Sequence, residues 1–153
     1  MATVVLTGIE EVRAAVGRHF GYSDWLEITQ ERVNLFAEAT GDHQWIHVDV
    51  ERATRESPYG GPIAHGYLSL SLSNMLVPTV IELDGFSMAI NYGVDRVRFP
   101  AAVPVGARLR AGVELAEVSD VNGGIQTLMR ITMEVEGSEK PACVIDSLAR
   151  WLL

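Results

Sequence analysis

A chain of 153 residues has the usual size of one domain, and a 48% share of hydrophobic residues supplies a core, so we expect residues 1–153 to form a single domain. The formal net charge of −8 argues against nucleic-acid binding through bulk electrostatics, which normally requires clustered lysine and arginine. The apolar stretches are shorter than the roughly 18 residues of a membrane span, and the start has no export signal, so we expect a soluble cytoplasmic protein. Cys143 is the one cysteine, which excludes a disulfide within the chain.

The first forty residues predict two helices and one strand. Apolar spacing indicates a short helix from Gly8 to Val16 and a first strand from Tyr22 to Ile28. Thr29 then offers an N-cap hydroxyl, and the residues after it place apolar side chains along one helical face. Gly41 supplies the left-handed residue that commonly ends a helix. These signals predict a helix between Thr29 and Gly41.

The next segment contains a short helix, a loop and an ambiguous stretch. Asp49 is a second N-cap candidate before a helical pattern from Glu51 to Arg55, and the glycines and prolines of Ser57 to Pro62 predict a loop. From His65 to Val77 leucine alternates with serine, which is typical of a strand, yet the leucines also satisfy helical spacing, with Pro78 as the predicted end. The local pattern leaves both interpretations open.

Four long extended patterns fill the second half of the chain. Turn residues separate them, and they span Phe86 to Phe99, Ala107 to Val118, Gly124 to Glu136, and Ala142 to Leu152. With the first strand they predict an α+β fold of about five mainly antiparallel strands. Such a sheet needs a long helix to cover its apolar face, which favours the helical interpretation of His65 to Val77.

The segment G-D-H-Q-W-I-H, from Gly41 to His47, carries one carboxylate and two imidazoles. Side chains five residues apart diverge by roughly 140° on a helix and face opposite sides of a strand. Because Gly41 ends the helix, a turn should follow and bring Asp42 and His47 toward a common point. This segment is therefore a candidate site.

Three interpretations of the segment stay open from the residues alone. His43, His47 and either Asp42 or Asp49 are metal-ligand types, but their spacing matches none of the common helical zinc arrangements. Alternatively, Asp42 caps backbone amides while His47 packs under the loop. The third interpretation is an acid–base pair, since an imidazole titrates near neutral pH and a nearby carboxylate can orient it.

Three segments together form a more specific pattern over most of the chain. They are F-A-E-A-T-G-D-H-Q-W-I-H (Phe36 to His47), P-I-A-H-G-Y (Pro62 to Tyr67) and V-R-F-P-A-A-V-P-V-G-A-R-L-R-A (Val97 to Ala111). In these segments the chain resembles the MaoC-like dehydratases, a family that includes the (R)-specific enoyl-CoA hydratases, and in particular its short NodN-like members.

The resemblance assigns roles to three residues. The family's catalytic aspartate and histidine carry over onto Asp42 and His47. Its substrate-binding backbone amide, which contacts the thioester oxygen at the start of the central helix, carries over onto Gly66. A helix N-terminus suits that role because its N–H groups are unpaired and its dipole end is positive.

Two positions depart from the family's pattern or stay unassigned. Gln44-Trp45 replaces the family's Asn-Pro, which removes a ring that would fix the backbone of the turn. In several relatives a serine further along the central helix lies near the catalytic pair, and the matching position is Asn74, beside Ser73. Neither residue is given a role.

The resemblance also implies a fold, a reaction and partners. The fold is the hot-dog fold, an antiparallel five-stranded sheet wrapped around one long helix. The reaction is reversible hydration of a trans-2-enoyl-CoA to an (R)-3-hydroxyacyl-CoA, with an acyl-CoA or acyl-carrier-protein thioester as substrate and no metal or redox cofactor. A homodimer joining the sheets edge to edge would complete the acyl pocket.

Two other functions compete with hydration. An acyl-CoA thioesterase is the nearest, because hot-dog folds also host that chemistry and a carboxylate can activate water against a carbonyl. A non-catalytic subunit that binds acyl thioesters is the other, since the altered Gln44-Trp45 turn is compatible with binding alone.

Overall fold

The structure, a computed structural model, describes residues 2–153 as an antiparallel sheet wrapped around a long helix. In chain order the elements are β1 (Val4–Thr7), α1 (Gly8–Ala14), β2 (His19–Tyr22), β3 (Leu26–Glu27), α2 (Gln30–Thr40), α3 (Trp45–Val48), α4 (Val50–Glu56), α5 (Gly66–Val80), β4 (Ile81–Asp84), β5 (Met88–Arg98), β6 (Arg108–Val121), β7 (Gly124–Val135) and β8 (Cys143–Leu152). None of the helices within residues 2–153 is both long and apolar enough to cross a membrane.

The main sheet has the strand order β2-β6-β7-β8-β5, and β3 also pairs with β6. All of these pairings are antiparallel. A tight turn at Asn122-Gly123 joins β6 to β7, with Val121 opposite Gly124. The predicted α+β sheet is therefore confirmed, with its longest strands where the extended patterns placed them.

The concave face of the sheet and α5 form the core. Leu68, Leu72 and Leu76 of α5 are buried against the sheet. The opposing strands contribute side chains that are almost completely inaccessible to solvent, among them Leu109, Val113, Leu115, Ile125 and Met133. Burying the leucine face of α5 removes apolar surface from water, and this explains why the Leu/Ser alternation folds as a helix.

The structure differs from the sequence prediction at the end of α5 and contains a pair of strands that was not predicted. Pro78 does not end the helix, which continues to Val80. Proline removes its own N–H donor and its ring crowds the carbonyl of the preceding turn. Only two residues of α5 follow Pro78, however, and the burial of Leu76 and Val80 keeps this last turn in place. In addition, β1 and β4 form a separate parallel pair that the sequence did not predict, with Val4 opposite Ile81.

The predicted first strand, Tyr22 to Ile28, is instead two short strands, β2 and β3. Ser23, between them, donates its N–H to the Ala111 carbonyl at 2.8 Å and accepts from the Ala111 N–H through its hydroxyl at 2.9 Å. A side-chain hydroxyl thus replaces a backbone carbonyl in the ladder, which interrupts the strand. The chain still follows β6 through this break.

Helix α2 has the bounds predicted from its caps. The Thr29 hydroxyl accepts from the Arg32 N–H at 3.2 Å, and Gly41 has φ +78°, the left-handed conformation, at the other end. Gly41 also donates its N–H to the Ala37 carbonyl at 2.8 Å. The direction in which the chain leaves α2 toward Asp42 therefore depends on a backbone conformation that favours glycine.

A Gly41→Ala substitution should lower the free energy of unfolding by about 1 to 2 kcal/mol, the cost of a left-handed conformation for an L-residue. No atom lies within 4 Å of a Cβ built at Gly41, so steric clash adds nothing. Gly61→Ala is the matched control, since its Cβ also meets nothing within 4 Å and its φ lies outside the left-handed region. Urea denaturation of both variants measures the difference, and equal stabilities would contradict the assignment.

Candidate active site

The turn after Gly41 brings together the two side chains for which the sequence predicted convergence. One side-chain atom each from Asp42, His47 and His65 lies within 4.8 Å of the others. Asp42 is exposed, whereas both histidines are buried. The cluster thus contains the expected carboxylate and imidazole together with His65, the residue that precedes α5.

His47 is held in one tautomer by its backbone partner. Its Nδ1 lies 2.7 Å from the Ile63 carbonyl oxygen, and a carbonyl can only accept, so Nδ1 carries the proton. The neutral ring then presents an unprotonated Nε2. Burial lowers the pKa of His47 and His65 acts in the same direction, while the Ile63 carbonyl and Asp42 oppose them. The ring is therefore poised as a neutral base.

His65 contacts both members of the predicted pair. Its Nε2–H donates to the backbone carbonyl of Asp42 at 3.0 Å. Its ring stacks on the His47 ring, with centroids 3.9 Å apart and planes 26° from parallel. Phe36 packs on His65 with ring centroids 4.9 Å apart. These contacts fix the backbone of Asp42 and the ring plane of His47.

Side chains from neighbouring helices hold the turn where Gln44-Trp45 stands in place of Asn-Pro. Gln30, the first residue of α2, donates its amide to the His47 carbonyl at 2.8 Å. The Arg52 guanidinium of α4 lies over the Trp45 ring, 4.1 Å from its centroid. The turn is ordered by these tertiary contacts rather than by a ring in its own backbone.

Gly66 is the first residue of α5, where N–H groups have no intrahelical acceptor. A Cβ at this position would lie 3.1 Å from ring atoms of Phe99, closer than side chains ordinarily approach. Glycine therefore allows the Phe99 ring to pack over the start of the helix. The Gly66 amide lies at the wall of the cavity that contains Asp42 and His47.

Two adjoining cavities meet at the cluster. The larger one, about 470 Å³, is lined by Phe36, Thr40, Asp42, His47, His65, Gly66, Tyr67 and Phe99. The smaller one, about 240 Å³, shares His47, Gly66 and Phe99 with it and is lined further by Ser69, Tyr59 and aliphatic side chains. An elongated ligand can thus extend to either side of the histidine.

Ser73 and Asn74 lie elsewhere. Both line a separate cavity of about 290 Å³ between α5 and the sheet, which His47 does not reach. The Ser73 hydroxyl donates to the Leu70 carbonyl at 2.7 Å. The structure therefore gives no reason to place either residue beside Asp42 and His47.

A metal ion fits the cluster less well than a proton-transfer role. Each imidazole donates its one N–H to a backbone carbonyl, His47 to that of Ile63 and His65 to that of Asp42. The remaining nitrogen of His65, Nδ1, is buried and has no partner among the described residues. His65 therefore presents no accessible lone pair toward the cavity unless its hydrogen bond to Asp42 breaks. Asp42 and the Nε2 of His47 are left as the accessible groups.

Comparison with known proteins identifies relatives over nearly the whole chain. Residues 11–137 match the sequence profile of the family described as MaoC like domain. The 3-hydroxyacyl-thioester dehydratase Z of Mycobacterium tuberculosis is 52% identical over 145 residues, which cover 94% of this chain and 95% of the relative. Nodulation protein N of Rhizobium meliloti is 41% identical over 146 residues, covering 92% of this chain and 89% of the relative.

Among solved structures, the unliganded R-hydratase PhaJ1 from Pseudomonas aeruginosa superposes with a TM-score of 0.71. The two chains are 24% identical, and the superposition covers 90% of this chain and 81% of the other. At this identity the likeness concerns the fold. The hot-dog fold expected from the sequence is confirmed.

The lowered pKa of His47 gives a pH dependence of stability with a defined sign. As pH falls, the unfolded chain takes up a proton at about pH 6.5, before the folded chain does. Stability is therefore complete above that pH and is lost as pH falls through the folded-state pKa. Wild type should lose free energy of unfolding relative to His47→Gln on acidification. A folded-state NMR titration midpoint of His47 above that of the denatured chain would contradict this.

Proposed function

The chain belongs to the MaoC-like dehydratase family, and we propose that it catalyses the reversible hydration of a trans-2-enoyl thioester to an (R)-3-hydroxyacyl thioester. One observation carries the proposal: the side chains of Asp42 and His47 converge within 4.8 Å at the cavity wall that contains Gly66. That arrangement provides a place for one water molecule between two proton acceptors, beside a helix N-terminus.

His47 acts as the base in the proposed reaction, because its Nδ1 proton is committed to Ile63 and its Nε2 is free. As His47 takes a proton from water, the oxygen bonds to the β-carbon and the π electrons of the double bond move toward the thioester carbonyl. The Asp42 carboxylate holds the water and balances the positive charge on the imidazolium. Return of the proton from His47 to the α-carbon on the same face completes the addition.

The carbonyl oxygen of the thioester becomes negative during this step, and the Gly66 N–H is proposed to donate to it. Donors fixed by the fold stabilise such developing charge without reorganising. The positive end of the α5 dipole acts in the same direction. No metal or redox cofactor is part of the proposal, because conjugation to the thioester already makes the β-carbon electrophilic.

The proposed substrate is a thioester on coenzyme A or on an acyl carrier protein, which share the same reacting group. The name of the mycobacterial relative, a 3-hydroxyacyl-thioester dehydratase, supports this class. The R handedness follows the name of the structural neighbour, an R-hydratase. Both features are proposals for this chain.

Asp42→Asn and His47→Gln should each lower kcat by about 10²- to 10⁴-fold, the usual contribution of a positioned acid or base. The assay follows the loss of the conjugated absorbance of crotonyl-CoA and determines the handedness of the alcohol. His43→Gln is the matched control, since His43 lies in the same turn but its side chain is half exposed and pairs with Glu38. It should retain wild-type turnover.

Other outcomes of this assay would contradict the proposal. A folded Asp42→Asn or His47→Gln variant with near wild-type kcat would show that the pair is not catalytic. Release of free thiol from a saturated acyl-CoA would instead identify a thioesterase. Binding of acyl-CoA without turnover would identify a non-catalytic subunit.

An unpaired edge of the sheet supports the further proposal of a homodimer. Strand β5 is the last in the sheet order and pairs on one side only, with β8. Its exposed apolar side chains are Met88, Ile90, Tyr92 and Val94. A long apolar edge strand invites association through its free N–H and C=O groups. A second copy of the chain, joined edge to edge, would cover it.

Wild type should have a solution mass of about twice the 16.7 kDa of the chain, measured by light scattering at micromolar concentration. Val94→Lys should shift it toward the monomer mass by placing a charge at the joined edge. Val5→Lys is the matched control, because Val5 is 50% and Val94 is 47% exposed. A monomeric wild type, or dissociation by both variants alike, would overturn the proposal.

A further inference from the structure

The three serines of α5 use their hydroxyl groups differently. Ser71 donates to the Tyr67 carbonyl at 2.7 Å, and Ser73 donates to the Leu70 carbonyl at 2.7 Å. Such bonds to the preceding turn are the ordinary state of a helical serine. For the Ser69 hydroxyl no hydrogen bond is found within residues 2–153, and the side chain is only 2% exposed. Its oxygen is not one of the fully buried side-chain atoms without a partner, which are Gln30 Oε1 and His65 Nδ1, so it is accessible from the cavity that Ser69 lines.

Ser69 lies at the wall of the smaller of the two cavities that meet at His47. That cavity, about 240 Å³, is also lined by His47 and Gly66. Buried polar groups in folded proteins nearly always have a partner. A ligand in the cavity would provide the acceptor that the protein itself does not.

Helix geometry places this hydroxyl beside the Gly66 amide. Ser69 follows Gly66 by three residues, so the two share one face of α5. Side chains on a helix lean toward its N-terminus, which directs the hydroxyl over the first turn. An O–H donor and an N–H donor therefore border the same part of the cavity, next to His47.

We propose that Ser69 is a further catalytic residue, whose hydroxyl donates a second hydrogen bond to the thioester carbonyl oxygen alongside the Gly66 N–H. The inference rests on the proposed hydration in taking a thioester as the ligand. The carbonyl oxygen gains negative charge as water attacks the β-carbon, so the bond strengthens in the transition state. The hydroxyl keeps its proton and acts only as a donor.

The chain provides matched controls on the same helix. Ser69→Ala, Ser71→Ala and Ser73→Ala each remove one hydroxyl, and alanine favours a helix, so all three should fold. For Ser69→Ala we expect kcat for crotonyl-CoA to fall on the order of 10²-fold, with KM raised by no more than about tenfold, the ground-state contribution of one hydrogen bond. The other two variants should stay within about twofold of wild type, because their hydroxyls bond to helix carbonyls.

A Ser69→Ala variant with the kcat of the two controls would overturn the inference, as would an equal loss in all three. Equal loss would indicate helix packing. Ser69→Cys, which retains a weak donor, should lie between wild type and Ser69→Ala. Free energies of unfolding measured on the same preparations separate loss of the donor from loss of the fold.

Failure of the proposed function would leave the inference testable. If wild type does not hydrate crotonyl-CoA, affinity for butyryl-CoA is measured by calorimetry for the same variants. Ser69→Ala should then weaken binding by about three- to tenfold, the contribution of one hydrogen bond, and the controls should not. Unchanged affinity in Ser69→Ala would overturn the role of Ser69.

Discussion

Two imidazole–carbonyl hydrogen bonds of opposite direction join the turn after α2 to the start of α5. His47 of the turn donates to the Ile63 carbonyl, and His65 at the helix start donates to the Asp42 carbonyl. A backbone bond from the Ile63 N–H to the Ile46 carbonyl, 3.0 Å long, lies between them. Because each ring has one N–H committed, both tautomers are set, and the free Nε2 of His47 follows from this pairing. The position of Asp42 relative to the helix N-terminus depends on the same bonds.

The burial of α5 explains why the site forms at this end of the fold. Its leucines pack into the concave face of the sheet, and the small Ser69 and Ser73, also buried, let the helix approach closely. This packing fixes the N-terminus of α5 beside the turn, so that unpaired amides and a positive dipole end face the cavity. A protein with a net charge of −8 thereby provides a locally favourable place for negative charge to develop.

Local signals in the sequence predicted some parts of the molecule well. Helix α2 followed from Thr29 and Gly41, and the meeting of Asp42 with His47 followed from the break at Gly41, because caps and turns are set by neighbouring residues. The pairing of β1 with β4 could not be predicted, since each strand has four residues and its partner is far along the chain. The contact of His65 with Asp42 was missed for the same reason, because the two residues are 23 positions apart in the sequence. The serines of α5 have the same spacing in the sequence, and the difference in their hydroxyl hydrogen bonds becomes visible only in the folded helix.

The Gln44-Trp45 turn is held in one conformation by contacts with neighbouring helices rather than by its own residues. A proline would restrict the turn in the unfolded chain as well as in the folded one. Without it, the order of the turn depends on contacts that exist only after α2, α4 and α5 have assembled. Gln30 bonds to the His47 carbonyl, and Arg52 covers Trp45. The geometry of Asp42 and His47 is thus a product of tertiary packing, so substitution of Gln30 or Arg52, which lie outside the turn, should alter the position of this pair.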